Sequence, residues 1–154
     1  CLPVDPYYFS FVAKKNNFNT SVTLSGRGTN EYMKKFIIKQ IYYELKKNKI
    51  SLNKDKIIFA GLTYKKNVSD IRNSHSLKIF EHFVKLYKKI YFTDPFISLE
   101  KIKNKQIDID KIIKAKNLKC LVLLVDHDSF KNILKKINKK ISVINIFNFY
   151  EENY

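Results

Sequence analysis

Two short runs constrain the fold more than anything else in the chain. Lys56–Leu62 (KIIFAGL) and Cys120–Val125 (CLVLLV) are apolar at consecutive positions rather than at alternate ones. A strand buried on one face alternates apolar and polar side chains, so a strand apolar throughout must be covered on both. Ile90–Thr93, followed by Asp94-Pro95, and Ile141–Phe147 read as two further strands. Between them, Ser74–Tyr87 carries Leu77, Ile79, Phe80, Phe83, Val84 and Tyr87 at helical spacing. Asp128–Lys139 reads as another helix and Ile109–Ala115 as a weak one. Strands alternating with helices predict an α/β domain, with a parallel sheet joined by right-handed crossovers in the Rossmann manner. Ligands of such sheets bind at the carboxyl ends of the strands, which directs attention to the segment after Leu62.

The first third differs. Asp5-Pro6 reads as a helix start, with Asp5 as N-cap and Pro6 at the first helical position, and the helix ends near Asn16-Asn17. A long helix is expected from about Asn30 to Lys49. Its apolar stripe (Met33, Phe36, Ile37, Ile41, Leu45) is widened by Ile38, Tyr42 and Tyr43. A helix apolar on more than one side needs burial on more than one side, by a second subunit or a further domain. The expected organisation is a helical segment over 1–50 and a sheet domain over 51–154.

The 154 residues suit one ordinary domain with appended helices. With 45% hydrophobic residues the chain can build a core. No apolar run reaches the length of a membrane span, no signal peptide is visible, and Cys1 and Cys120 make no disulfide framework. A soluble, cytoplasmic protein is expected.

The formal charge of +16 invites a nucleic-acid reading. Only Arg27 and Arg72 among the 30 basic residues are arginine, and the composition leans toward residues with AT-rich codons. Drift of that kind explains the lysines without a nucleic-acid partner. They recur as pairs on polar helix faces. Against that background the two Arg and three Gly stand out.

One of each lies in Gly61–Ser74 (GLTYKKNVSDIRNS), which matches neither a dinucleotide-binding glycine fingerprint nor a P-loop. Two readings stand. Lys65 and Arg72 hold anionic phosphates at the mouth of the sheet while Ser74 caps the next helix, or the segment is a surface loop with an Asp70–Arg72 contact. Cys1, near a helix start, is either a nucleophile or a small hydrophobe. Cys120, inside an apolar strand, reads as buried and inert. His75, His82 and His127 fit no zinc spacing, so no metal is expected. His82 reads as exposed. His127 lies at the carboxyl edge of the sheet, either approaching a ligand or serving a helix-capping loop.

Together these segments resemble the UDP-glucose/GDP-mannose dehydrogenase family. Cys1–Phe9 (CLPVDPYYF) resembles its catalytic-cysteine motif. Ser25–Met33 (SGRGTNEYM) is similar to the A-G-R-x-x-N-D-x-M opening of its dimerisation helix. Gly61–Ser74 is similar to G-L-T-F-K-E-N-x-x-D-I-R-N-S of its UDP-N-acetylhexosamine 6-dehydrogenase branch, and Asp94-Pro95 and Val125–Phe130 follow in family order. The resemblance implies a helical dimerisation segment followed by a Rossmann-like UDP-sugar-binding domain. It implies oxidation of the C6 alcohol of a UDP-hexose to a uronate by NAD, for surface polysaccharide synthesis. Cys1 would form a thiohemiacetal and then a thioester, and Asp5 would organise base and water. Tyr64 and Lys65 would contact the UDP-sugar, and Arg72 would reach NAD on an adjoining domain. The homodimer would form through the long helix.

The chain departs from the family in two ways. The N-terminal NAD-binding domain and its glycine fingerprint do not occur in these residues. The 154 residues are therefore expected to correspond to the C-terminal part of such an enzyme, inactive alone. The alternative is a non-catalytic dimerisation or nucleotide-binding module, or a gene relic. In addition, Ile144–Asn148 offers Asn and Phe where the family places an acidic and then a basic residue near the nucleotide.

Overall fold

The computed structural model describes residues 4–98, 105–112 and 117–146. Cys1, the end of the expected weak helix and Phe147 lie outside the described residues. The chain divides into two compact units, Cys1–Ile38 and Lys39–Tyr154.

The N-terminal unit holds α1 (Asp5–Lys15) and the first part of α2 (Ser21–Lys47). Val4, not Asp5, takes the N-cap position of α1, without a side-chain cap. Asp5 lies instead in the first turn, where a carboxylate suits the helix dipole. Asn17 closes the helix in the left-handed region at φ 58°. Phe18 N–H then donates to Ala13 O at 2.8 Å, the six-to-one bond of a Schellman stop. α2 starts at Ser21, about two and a half turns before the expected Asn30. Gly26 and Gly28 do not prevent this, since Gly costs a helix only about 1 kcal/mol each, and Asn19 Oδ1 accepts from Ser21 N–H at 2.9 Å to start it. The Arg27–Glu31 pair (3.3 Å) lies along the same turns.

In the second unit, α2 ends at Lys47. Lys49, at φ 56°, makes another Schellman stop through Ile50 N–H to Leu45 O, 2.9 Å. Four strands follow: β1 (Lys56–Ala60), β2 (Ile90–Thr93), β3 (Leu118–Leu123) and β4 (Ser142–Asn145). All pair in parallel, in the order β2-β1-β3-β4. The α/β parallel-sheet reading therefore holds. α3 (His75–Leu86) connects β1 to β2 and α4 (Asp128–Lys136) connects β3 to β4. Within the expected weak helix, the described residues hold a 3-10 turn, Ile109–Lys111.

The unbroken apolar strands serve two faces. Ile58, Ala60, Leu121 and Leu123 pack with Ile112, Phe130 and Ile133, the last two from α4. Phe59 points the other way, 5.9 and 5.1 Å from the Phe80 and Phe83 rings of α3. Tyr42 of α2 packs on Phe83 from outside (4.9 Å), and Ile41 and Leu45 are buried beside it in sequence. The last turns of α2 are thus covered within this unit. His82 is half-buried, its Nε2 3.1 Å from the Tyr42 hydroxyl, and not exposed as expected. No helix among the described residues is long and apolar enough to cross a membrane.

From β1 the chain runs outward to β2, then returns past β1 to β3 on the other side. That reversal puts the switch point of the topology beyond the ends of β1 and β3, the place where such sheets take ligands. Gly61 shapes it. At φ 81°, a Cβ there would stand 2.6 Å from Val125 O and 2.7 Å from Val125 Cβ. Gly61→Ala is expected to lower stability by about 2–4 kcal/mol, from left-handed strain together with the backbone overlap. Gly26→Ala, in open space on α2, should raise it by about 0.5–1 kcal/mol. Urea unfolding of both variants checks this, and a wild-type midpoint for Gly61→Ala would refute it.

Candidate functional site

The segment after Gly61 is a closed loop with its ends tied. Ser74 donates its hydroxyl to Leu62 O (2.7 Å) and accepts from Leu77 N–H (3.1 Å). One side chain therefore fastens the loop base and caps α3, the helix cap expected from the sequence. Across the loop, Tyr64 N–H donates to Asp70 O at 2.7 Å.

The loop is also tied to α4. Asn67, held at φ 57°, accepts from Asp128 N–H through Oδ1 (3.1 Å) and donates through Nδ2 to Asp128 Oδ2 (2.5 Å). It caps the helix from 61 residues away in sequence. Lys131 and Lys66, each 2.8 Å from Asp128 Oδ1, hold that carboxyl far below the usual carboxylate range, with Asn67 assisting.

Beneath the loop lies His127, at the N-cap position of α4 but making no cap with its side chain. Its ring is fully buried, flanked by Phe96 (5.0 Å) and Phe130 (5.5 Å). Nδ1 accepts from Asn67 N–H at 2.9 Å. Nε2 lies 3.1 Å from Thr63 Oγ1 and 3.4 Å from Asp94 Oδ2. Thr63 gives its own hydroxyl proton to Lys65 O (2.9 Å). Nε2 is therefore the donor, and the bonds assign the neutral Nε2–H tautomer. Burial pushes the His127 imidazole below its ordinary value, outweighing the opposing pull of Asp94. Asp94 accepts from Leu62 N–H (2.7 Å) and Phe96 N–H (2.8 Å) as well. His127 thus belongs to the helix-capping segment, as one of its two readings had it, though its ring caps nothing directly: it is covered by the loop and braces it from below.

Above this base, Tyr64 and Lys65 are exposed, with Lys65 Nζ 5.7 Å from the Tyr64 ring centroid, within cation–π range. Arg72 forks onto Asp70, Nε to Oδ1 at 3.0 Å and Nη2 to Oδ2 at 2.8 Å, so the expected local contact is present. Those bonds hold the Asp70 carboxyl down at about 2. The structure thus brings Tyr64, Lys65 and Arg72 onto one loop. Asp5 is exposed on α1 in the other unit, and Cys1 lies outside the described residues. Cys120 is buried on β3, and desolvation pushes its thiol up to about 12. Among the described residues, no three His, Cys, Asp or Glu side chains are grouped to hold a metal ion.

Asn67, Asp94 and Asp128 were not singled out as site residues by spacing. The available signal was positional: Asp94 directly after β2 and His127 shortly after β3, at the edge where such sheets bind ligands.

Comparison with known proteins bears on this architecture. Residues 58–152 match the UDP binding domain of the UDP-glucose/GDP-mannose dehydrogenase family. The chain belongs to that family. It is 32% identical over 135 residues to a UDP-N-acetyl-D-mannosamine dehydrogenase of Methanococcus maripaludis, covering 88% of this chain and 29% of that protein. With a UDP-N-acetyl-D-glucosamine 6-dehydrogenase of Salmonella typhi, identity is 24%, over 86% of this chain and 32% of that one. Among solved structures, a UDP-D-ManNAc dehydrogenase from Pyrococcus horikoshii superposes with TM-score 0.73 at 27% identity, covering 94% of this chain and 33% of that one. The chain spans about a third of the length of these relatives.

Arg72→Ala should let the Asp70 carboxyl rise from about 2 toward its ordinary 3.8. The stability this pair adds is present above 3.8 and is lost as pH falls toward 2. Carboxyl titration by carbon NMR measures the shift; an Asp70 unmoved by the substitution would show that Arg72 does not hold it.

Proposed function

We propose that this chain is the UDP-sugar-receiving part of a nucleotide-sugar 6-dehydrogenase, acting on an N-acetylated UDP-hexose. The observation that carries the reading is the family match over 58–152 together with the tied loop that carries Tyr64 and Lys65 beyond the end of β1. In this reading Lys65 supplies positive charge to the diphosphate and Tyr64 an aromatic face. Lys66 is already engaged by Asp128 and takes no part. Cys1, as thiolate, is the nucleophile toward the C6 carbonyl and Asp5 organises base and water, both by family resemblance. The product would be a uronate for surface polysaccharide.

NAD does not fit the described sheet edge in the dinucleotide-binding manner. There, Leu62 N–H is taken by Asp94, Ser74 Oγ occupies the start of α3, and Gly61 lies against Val125. A dinucleotide needs these groups free for its pyrophosphate. Arg72 is the candidate contact to NAD held by an adjoining domain.

Calorimetry with UDP tests the reading. Lys65→Ala should weaken binding about tenfold or more, the scale of a lost charge-assisted bond, while Lys66→Ala should bind as wild type. Equal heats for wild type and Lys65→Ala would end the proposal.

The homodimer is also proposed. In the N-terminal unit the large apolar side chains Tyr8, Phe9, Phe11, Phe18 and Val22 are exposed, from 55% for Phe9 to 85% for Val22. A patch of that kind marks an interaction surface, here taken to be covered by a second copy through α1 and α2. Light scattering should give twice the 18.3 kDa mass, and Val22→Asp should give the monomer. A monomeric wild type at high concentration would overturn it.

A further inference from the structure

The loop bearing Tyr64 and Lys65 is held from below by a single ring. His127 grips it on both sides of Lys65. On one side, Nε2–H meets Thr63 Oγ1, whose proton goes on to Lys65 O. On the other, Nδ1 receives Asn67 N–H, and Asn67 in turn caps α4. Asp94, which also fastens Leu62 N–H, anchors the ring at the end of β2.

This arrangement works in one protonation state only. A proton on Nδ1 would turn the acceptor of Asn67 N–H into a donor, and two donors would face each other. Of the remaining groups around the ring, Asp94 just after β2 and Asp126 from its own segment favour that proton, Lys66 from the loop opposes it, and burial opposes it most. At the start of α4, Asp128 is already committed to Lys66 and Lys131.

We propose that His127 is the positioning residue of this loop: its neutral imidazole sets the backbone around Lys65, and protonation releases the loop and loosens its hold on a phosphate-bearing ligand. The inference rests on the UDP-sugar reading for the ligand and on the hydrogen bonds alone for the latch. The sign is fixed by burial. A histidine held below 6.5 in the folded chain stabilises it above 6.5, and that contribution is lost as pH falls from 6.5 toward the folded value.

The test uses the nitrogen-labelled 154-residue chain. Amide exchange at Asn67, corrected for its intrinsic pH dependence, should be protected at neutral pH. Protection should fall about tenfold or more on acidification into the range where His127 charges. His127→Asn places a non-titrating acceptor near Nδ1 and should keep the protection at both pH values. His127→Phe keeps the ring without the acceptor and should lose it at both, with Phe59 and Phe83 amides still protected as proof of fold. In parallel, UDP affinity should fall with acidification more steeply for wild type than for His127→Asn, which cancels the titration of UDP itself. Asn67 protection that ignores both pH and His127→Phe overturns the latch. Protection that follows His127 while wild type binds no UDP at any pH supports the latch and overturns the nucleotide reading.

Discussion

The close approach of Gly61 to Val125 is the constraint on which the rest of the structure depends. Two parallel neighbours, β1 and β3, leave the sheet side by side, and the chain beyond one must touch the chain beyond the other. Only a residue without a Cβ, at positive φ, lets them do so. That contact turns Leu62 N–H toward Asp94 and sets His127 under Thr63 and Asn67. A wider separation would leave buried polar groups without partners, and such groups are costly in a low-dielectric interior.

The charge of the loop follows from the same geometry. A chain with +16 formal charge places many lysines near any site. Here Asp128 takes up Lys66 and Lys131, and Asp70 takes up Arg72. Neighbouring cations are thereby neutralised locally, and Lys65 is left beside the Tyr64 ring at the rim. Lys65 falls within residues 58–152, the stretch that matches the family's UDP binding domain.

The parts legible in the sequence are those with local causes. KIIFAGL and CLVLLV announced doubly covered strands because burial on both faces leaves no polar positions. Ser74 as a cap and the Asp70–Arg72 pair were legible because three- and two-residue spacings bring those groups together in any such turn. The start of α2 was less legible, because the apolar stripe begins at Met33 while the helix runs on through Gly26 and Gly28 from Ser21. The brace under the loop was not legible. Asp94 and His127 lie 33 positions apart, and Asn67 lies 60 from His127. They meet only once the strand order β2-β1-β3 is known.

Asn67 has a consequence beyond the loop it belongs to. Because the N-terminus of α4 finds its cap in a residue that follows β1 rather than in its own flanking sequence, opening of the loop at Asn67 removes the cap of α4. A helix of nine residues, Asp128–Lys136, too short to persist alone in water, thus depends for its cap on the loop that faces solvent.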